Sequence, residues 1–276
     1  MPQNIVTAID STTYSRYRKL LGNSFTEKAL RNQAPLVEVY AKLLTTRLQN
    51  LAEMPENKYG VVVDFVDWMS WFTFDIMGEL ALGESFECLK DSKLHPWVET
   101  LNTFLKAMVF AASTRWYPGL ESLLFKMLPK KVMDMQRQHS EFVSEKLNRR
   151  LNIEKERADF ISPFMKDNEG FHNVSLEETQ SNFVILIVAG ADATATVLSG
   201  TFLYLVQNPI ALNILTSEIR TSFEKEENIS IQTTNELPYL NAVLTEGLGL
   251  TNPVPGGLPR VVPEGGDIYA GVFIPA

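Results

Sequence analysis

The sequence contains a single cysteine, Cys88, so it cannot form an internal disulfide, which fits a protein of a reducing compartment. Its histidines number three, and no His-Glu-x-x-His pattern of a zinc hydrolase is present. No glycine-rich loop ends in Lys-Ser or Lys-Thr, which argues against a nucleotide phosphate loop. Basic residues are in the minority and the net charge is −8, so we expect no nucleic-acid partner.

The N-terminus lacks a recognisable targeting signal. Met1 to Asn4 show neither the basic start nor the apolar core of a signal peptide, and no obvious membrane anchor precedes the first predicted helix. With 276 residues, 45% of them hydrophobic, the chain can bury the core of one large domain or two small ones.

Apolar residues recur at three- and four-residue spacing through most of the chain, which predicts a mainly α-helical protein. The predicted helices cover 14–21, 26–50, 64–82, 96–113, 131–151, 176–207, 209–223 and 236–250. A loop is expected over 158–174. Ser175 and Glu178 then form a predicted capping box, which starts the longest helix, and Asn208-Pro209 ends it.

The C-terminal part differs in character. Prolines and glycines make residues 253–259 irregular, and short apolar runs follow at 260–262 and 267–274. Because the segment 263–266 reads Pro-Glu-Gly-Gly between them, we predict a β-hairpin that turns there.

A polar cluster interrupts the longest apolar stretch, residues 183–206. It reads Ala189-Gly-Ala-Asp-Ala-Thr194, and packing alone hardly explains it, because a buried carboxylate or hydroxyl costs free energy unless it finds a partner. The stretch is long enough to cross a bilayer, but Asp192 at its centre would be costly there. We therefore favour a buried helix of a soluble protein. A kinked helix with a satisfied aspartate is the alternative explanation of the cluster.

Three stretches, taken in order after a basic helix, resemble one protein family. They are Leu186-Ile-Val-Ala-Gly190, Leu237-Pro-Tyr-Leu-Asn-Ala-Val-Leu-Thr-Glu246 and Pro255-Gly-Gly-Leu-Pro-Arg-Val-Val-Pro263. They resemble the cytochrome P-450 family, the haem-thiolate monooxygenases, and specifically its fungal members from secondary-metabolite pathways. The resemblance runs from the helix at Tyr14 onward.

The family's N-terminal anchor and its C-terminal haem-cysteine region find no counterpart. We therefore expect 1–276 to be a single partial P-450 domain, mainly α, with a small β-hairpin near the C-terminus.

The resemblance implies haem as the cofactor and assigns roles by position. Arg18 and Arg260 match the arginines that pair with the haem propionates, a task that suits a planar, always-charged guanidinium. Tyr14 matches a further propionate donor. A solvated helix charge is the alternative explanation of Arg18. Ala189 and Gly190 match the small residues that let the helix lie flat over the haem.

Further positions match catalytic, structural and pocket residues of the family. Asp192 matches the acid that relays protons toward the bound oxygen, with Thr194 as the nearby hydroxyl. Glu246 matches the glutamate of the Glu-x-x-Arg motif. The implied substrate pocket consists of Val188, Pro253 and Val254.

The sequence departs from the family pattern in three places. The family alcohol directly follows the acid, but Ala193 occupies that position, and one residue turns a side chain by about 100°. Gly249 stands where the motif has its arginine. The axial cysteine is absent: Cys88 does not match by position, so we expect a structural or incidental thiol. The resemblance places His95, His139 and His172 away from the haem.

The family would use molecular oxygen, a small apolar substrate and an NADPH-dependent flavoprotein reductase, in the cytoplasm or at the endoplasmic-reticulum surface. Because of the three departures, we expect this chain to be a monooxygenase relative with weak or no activity of its own. A non-catalytic helical protein that binds a hydrophobic ligand or a partner is the alternative hypothesis. A small membrane protein that spans the bilayer with residues 183–206 is the third.

Overall fold

The computed structural model describes residues 3–54, 61–100, 130–152, 157–162, 174–254 and 261–276. The helices are α1 Ser11–Gly22, α2 Glu27–Ala52, α3 Phe65–Leu82, α4 Cys88–Asp91, α5 Lys130–Leu151, α6 Leu176–Gln207, α7 Pro209–Ser222, α8 Ile231–Thr234 and α9 Pro238–Leu250. Residues 96–100 are also helical. Short 3-10 turns lie at Asn23–Phe25 and Glu226–Asn228, and two strands, β1 Asp267–Tyr269 and β2 Val272–Ile274, form an antiparallel pair.

Local capping signals decide where the long helices begin. The side chains of Asp10, Thr26 and Asp64 accept backbone N–H bonds at the starts of α1, α2 and α3. Ser175 and Glu178 form the predicted capping box of α6. Where both ends are described, the predicted boundaries agree with the observed ones to within about three residues, which is usual for helix ends predicted from sequence.

The core forms where α6 packs against α3. Phe183, Ile187 and Ala191 of α6 are fully buried against a cluster that includes Phe74 and Leu82 of α3. These α6 residues recur every four positions, so a single stripe of the helix faces the core. That stripe fixes the rotation of α6 and hence the direction of every other side chain on it.

A buried ion pair joins the end of α5 to the chain that follows. The Arg150 Nε donates to the Asp159 Oδ2 over 2.7 Å, and the two side chains are 3% and 0% exposed. The other Asp159 oxygen accepts the backbone N–H groups of Ile161 and Ser162. Gly83, which ends α3, has a φ of 77°, and a Cβ there would lie 2.5 Å from the Arg150 Cδ. Glycine is therefore required at this helix end for both conformation and space.

A β-hairpin forms near the C-terminus as predicted, but its strands and turn lie at other residues than predicted. Residues 261–263 are not in a strand, and the two strands are instead joined by Ala270 and Gly271. Both turn residues have positive φ, 50° and 81°, which matches the twist of a two-residue hairpin turn. Glu264 and Gly265 are the central residues of a separate turn before β1, in which the Gly266 N–H donates to the Pro263 carbonyl over 3.0 Å.

Two other predictions fall partly outside the described residues. The predicted helix 96–113 is helical over 96–100, and its remainder lies outside them. The predicted loop 158–174 contains bends over 158–161, and its part from 163 to 173 also lies outside them.

Candidate functional site

The predicted propionate residues Tyr14 and Arg18 lie together on α1. They are one helical turn apart, both are exposed, and the Arg18 Nη1 donates to the Tyr14 Oη over 3.3 Å. The structure therefore presents a cation and a hydroxyl side by side on one face of the helix, as residues at i and i+4 allow. Arg260, the second predicted propionate arginine, lies outside the described residues.

A second polar cluster of α1, around Arg16 and Tyr17, was not predicted from the sequence. Arg16 makes a bidentate pair with Glu178 of α6, with its Nη2 2.6 Å from Oε1 and its Nη1 3.2 Å from Oε2. The Tyr17 Oη donates to the same Oε1 over 2.7 Å. The Arg16 guanidinium lowers the pKa of the Glu178 carboxyl to about 2, and burial raises the pKa of Tyr17 to about 12. The capping-box pattern identified Glu178, but it did not indicate that the same carboxylate pairs with Arg16, 162 residues away in the chain.

The predicted acid Asp192 is exposed, which corrects the expectation of a buried carboxylate. Ala189, one turn earlier, is exposed on the same face. Only 22% of the most apolar part of α6 is buried. We expected a helix enclosed on all sides, and the structure does not show one. The physical reason is that α6 contacts α3 along one stripe, and the side with Asp192 points away from that stripe. Among the described helices, α6 is the one long and apolar enough to cross a membrane.

Thr194 does not share a face with Asp192. The helix is continuous through both residues, and two positions correspond to a rotation of about 200°. Thr194 is also exposed, but it points away from the side that Ala189 and Asp192 occupy. The structure therefore brings Ala189 and Asp192 together and leaves Thr194 apart from them.

Gly190 has a packing role in this structure. A Cβ at this position would lie 2.6 Å from the Sδ and 2.7 Å from the Cε of Met77 in α3. The glycine therefore allows α6 and α3 to approach closely, whereas the neighbouring Ala189 is the small residue on the exposed side. Sequence reasoning grouped the two, but the helix directs them differently.

The predicted pocket and motif residues lie at the edge of the described core. Val188 is half-buried and packs against the main cluster, Pro253 is half-buried, and Val254 is exposed. The Val254 N–H donates to the Asn252 Oδ1 over 3.0 Å, which holds the segment after α9 in a turn. Glu246 is exposed on α9.

Cys88 lies in the core at the start of α4. Its side chain is buried, and burial raises the pKa of the thiol to about 12. Its backbone N–H and that of Leu89 donate to the buried Asp75 carboxylate, each over 2.9 Å. A buried, neutral thiol is consistent with the expected structural or incidental role and does not fit a reactive cysteine. His95 is half-buried against the rings of Phe86 and Phe142.

Comparison with known proteins identifies the family of this chain. The family model for cytochrome P-450 matches residues 1–276. The chain belongs to the cytochrome P-450 family. It is 36% identical over 266 residues to cytochrome P-450 monooxygenase lcsI of Purpureocillium lilacinum, covering 96% of this chain and 51% of that protein. It is 34% identical to the averantin hydroxylase of Dothistroma septosporum, covering 98% of this chain and 50% of that protein. The same identity, 34%, relates it to the trichothecene C-15 hydroxylase of Fusarium sporotrichioides, over 96% of this chain and 54% of that protein.

Solved structures give the same fold. The haem domain of cytochrome P-450DA superposes with a TM-score of 0.73 at 15% identity, over 89% of this chain and 51% of that chain. A mutant of that domain gives a TM-score of 0.75 at 16% identity. The expected mainly α P-450 fold with a small β-hairpin is thus confirmed. The chain spans about half the length of the curated P-450 relatives that it matches.

Haem is the cofactor of the P-450 family, and the described residues fit part of it. Tyr14 and Arg18 form an exposed donor pair suited to a propionate, and Ala189 offers a small side chain on an exposed helix face. The single cysteine does not fit the axial position, because its thiol is buried and protonated. Bound haem would supply oxygen binding and redox chemistry, which side chains do not provide.

Proposed function

We propose that this chain is part of a haem-dependent monooxygenase that oxidises a small apolar secondary metabolite. It contributes residues that bind a haem propionate and residues that face the bound oxygen. Family membership over residues 1–276 is the observation that supports this proposal most directly. The relatives named for averantin and for trichothecene hydroxylation support the reaction class.

The proposed roles follow the observed directions of the side chains. Arg18, with Tyr14, binds a propionate, and Arg260 matches the second propionate arginine. Ala189 leaves room for the cofactor face, and Asp192 on the same side of α6 exchanges protons with water. Thr194 serves the same space only after local rewinding of α6, because about 200° separates the two side chains.

The substrate pocket and the partners are proposed at a coarser level. In this proposal Val188, Pro253 and Val254 form the apolar wall of the substrate pocket, and an apolar metabolite is favoured because none of the three side chains carries a polar group. Molecular oxygen and an NADPH-dependent flavoprotein reductase are the proposed co-reactant and electron donor. We propose that the protein works in the cytoplasm or at the endoplasmic-reticulum surface.

We expect weak or no monooxygenase activity from these 276 residues alone, because their one cysteine is buried in the core. A carbon monoxide difference spectrum of the reduced, haem-supplemented protein tests this. We expect it to lack the band of thiolate-ligated haem. A full thiolate band would overturn the expectation of inactivity, and failure of the protein to bind haemin saturably would overturn the proposed role in haem binding.

The exposed apolar surface favours a second candidate, a non-catalytic helical protein that binds a hydrophobic ligand or a partner. Large side chains around the junction of α6 and α7 are exposed, among them Phe202, Leu203, Val206 and Ile210. Sedimentation and a fluorescent apolar probe test this candidate. A cooperative monomer that binds neither the probe nor haemin would exclude it.

A further inference from the structure

Glu178 is the point at which α1 is attached to α6. Its carboxylate accepts at least four hydrogen bonds: two from Arg16, one from the Tyr17 Oη and one, over 2.8 Å, from the Ser175 N–H. Charged hydrogen bonds in a bidentate arrangement fix orientation as well as distance. Glu178 therefore restrains both the position and the rotation of α1.

The segment before α1 is tied to the same end of α6. The Asn4 Nδ2 donates to the Ser181 Oγ over 3.2 Å, and the Ile5 N–H donates to the Asn182 Oδ1 over 2.8 Å. These bonds hold the chain before α1, whereas Glu178 holds the helix itself. Tyr17 and Leu21 of α1 are also buried, so loss of the Glu178 contacts would loosen the rotation of α1 without detaching the helix.

The rotation of α1 decides where the Tyr14–Arg18 pair points. Arg16 and Arg18 are two positions apart, so their side chains leave the helix about 200° from each other. When Arg16 and Tyr17 are held against Glu178, Tyr14 and Arg18 are directed to the other, exposed side. The contact with Glu178 therefore helps to set the direction of the propionate donors, together with the burial of Tyr17 and Leu21.

We propose that Glu178 is a positioning residue for haem binding: by holding Arg16 and Tyr17 it directs Arg18 toward the propionate. This inference rests on the proposed function. It predicts that removing the Glu178 charge weakens haem binding, because Arg18 is then no longer directed toward the propionate. Glu178 itself does not touch the cofactor. A purely structural carboxylate would lower stability without acting through Arg18.

The test is haemin titration of the 276-residue protein in excess imidazole, which supplies an axial ligand from solution. Binding is followed by the Soret band and by quenching of the four tryptophans. We expect Glu178→Gln and Arg18→Gln each to weaken binding about tenfold, the size of one lost charged hydrogen bond. The double variant should lose little more than either single variant, because both changes remove the same contact.

The matched control is Glu84→Gln, which removes the 2.7 Å ion pair of Glu84 with Lys146 on a different part of the fold. Its haemin affinity should equal that of the wild type. Arg16→Gln is a second variant that releases the same contact while leaving Glu178 bonded to Tyr17 and Ser175, and circular dichroism checks that each variant is folded.

The outcomes distinguish failure of the positioning role alone from failure of the proposed haem binding. If Arg18→Gln weakens binding and both Glu178→Gln and Arg16→Gln leave it unchanged, Glu178 is not a positioning residue, and the proposed function stands. Fully additive losses in the double variant also overturn the positioning role. If the wild-type protein shows no saturable binding, the haem-binding role and the inference that rests on it both fail.

Discussion

Thr201 of α6 lies directly against Gly247 of α9, where a Cβ would be 2.2 Å from the threonine Oγ1. The contact is reciprocal, because a Cβ on Gly200 of α6 would lie 2.3 Å from the Oγ1 of Thr251. Each helix thus offers a glycine to a threonine: Gly247 of α9 contacts Thr201 of α6, and Gly200 of α6 contacts Thr251, the residue that follows α9. This pairing sets how closely α9, the helix with Glu246, approaches α6.

Two glycines of α9 should respond oppositely to the same substitution. Gly247→Ala forces a methyl group into Thr201 and should destabilise the protein by about 1–3 kcal/mol. At Gly249, no heavy atom of the described residues comes within 4 Å of the added Cβ, so Gly249→Ala should stabilise the protein by about 0.5–1 kcal/mol through helix propensity. Urea unfolding measures both, and equal shifts of one sign would contradict the helix contact.

The start of α9 depends on a carboxylate from α7. Glu218 of α7 accepts the N–H groups of Tyr239 and Leu240 over 2.9 and 2.8 Å, one with each oxygen. Glu218→Gln leaves a single acceptor and removes the charge near the helix N-terminus, so we expect a loss of about 1–2 kcal/mol. Amide exchange of residues 239 and 240 should accelerate. The exposed Glu227→Gln is the control, and an equal effect there would exclude specific capping.

Local signals made most of the fold predictable from sequence. Asp64, Ser175 and Pro209 each act on the first turn of their own helix, so their effect does not depend on the rest of the chain. The hairpin was misplaced because Pro-Glu-Gly-Gly is a strong turn pattern, whereas Ala270 at positive φ is an uncommon choice in the actual turn.

The site was harder to predict because it depends on contacts between distant segments. The rotation of α6 separates Ala189 from Gly190 and Asp192 from Thr194, and it follows from packing against α3. Periodicity identified the helix but not which of these four residues would face the core. The bond between Arg16 and Glu178 likewise depends on how α1 crosses α6, which no pattern in either helix specifies.

The buried ion pair should matter far more than an exposed one on the same helix. Asp159→Asn removes the carboxylate charge that pairs with the buried Arg150 guanidinium, so we expect a loss of about 3–5 kcal/mol. Arg149 and Glu145 form an exposed pair one turn apart, and Glu145→Gln should change stability by less than about 0.5 kcal/mol. Thermal and urea unfolding of the two variants give the comparison. Similar losses would show that the Arg150 contact is worth no more than a surface pair.

Acid should remove the contribution of Glu178 to stability. Its pKa in the folded protein is about 2, below the ordinary 4.5, so the unfolded chain takes up the proton first as pH falls. The stabilisation is complete above about pH 4.5 and declines toward about pH 2. The difference in unfolding free energy between wild type and Glu178→Gln should therefore shrink across this window. A difference that stays constant from pH 6 to pH 3 would show that the Arg16 contact is not linked to protonation.

The single thiol should be unreactive toward disulfide reagents in the folded protein. Cys88 is buried and its pKa is raised to about 12, so at pH 8 almost no thiolate is available and a disulfide reagent has no access to it. We expect no reaction in native buffer and one equivalent per chain in denaturant. The reaction rate at intermediate urea should follow the unfolded fraction, because opening of the core is required. Rapid labelling without denaturant would place the thiol at the surface, and it would then be available as an iron ligand.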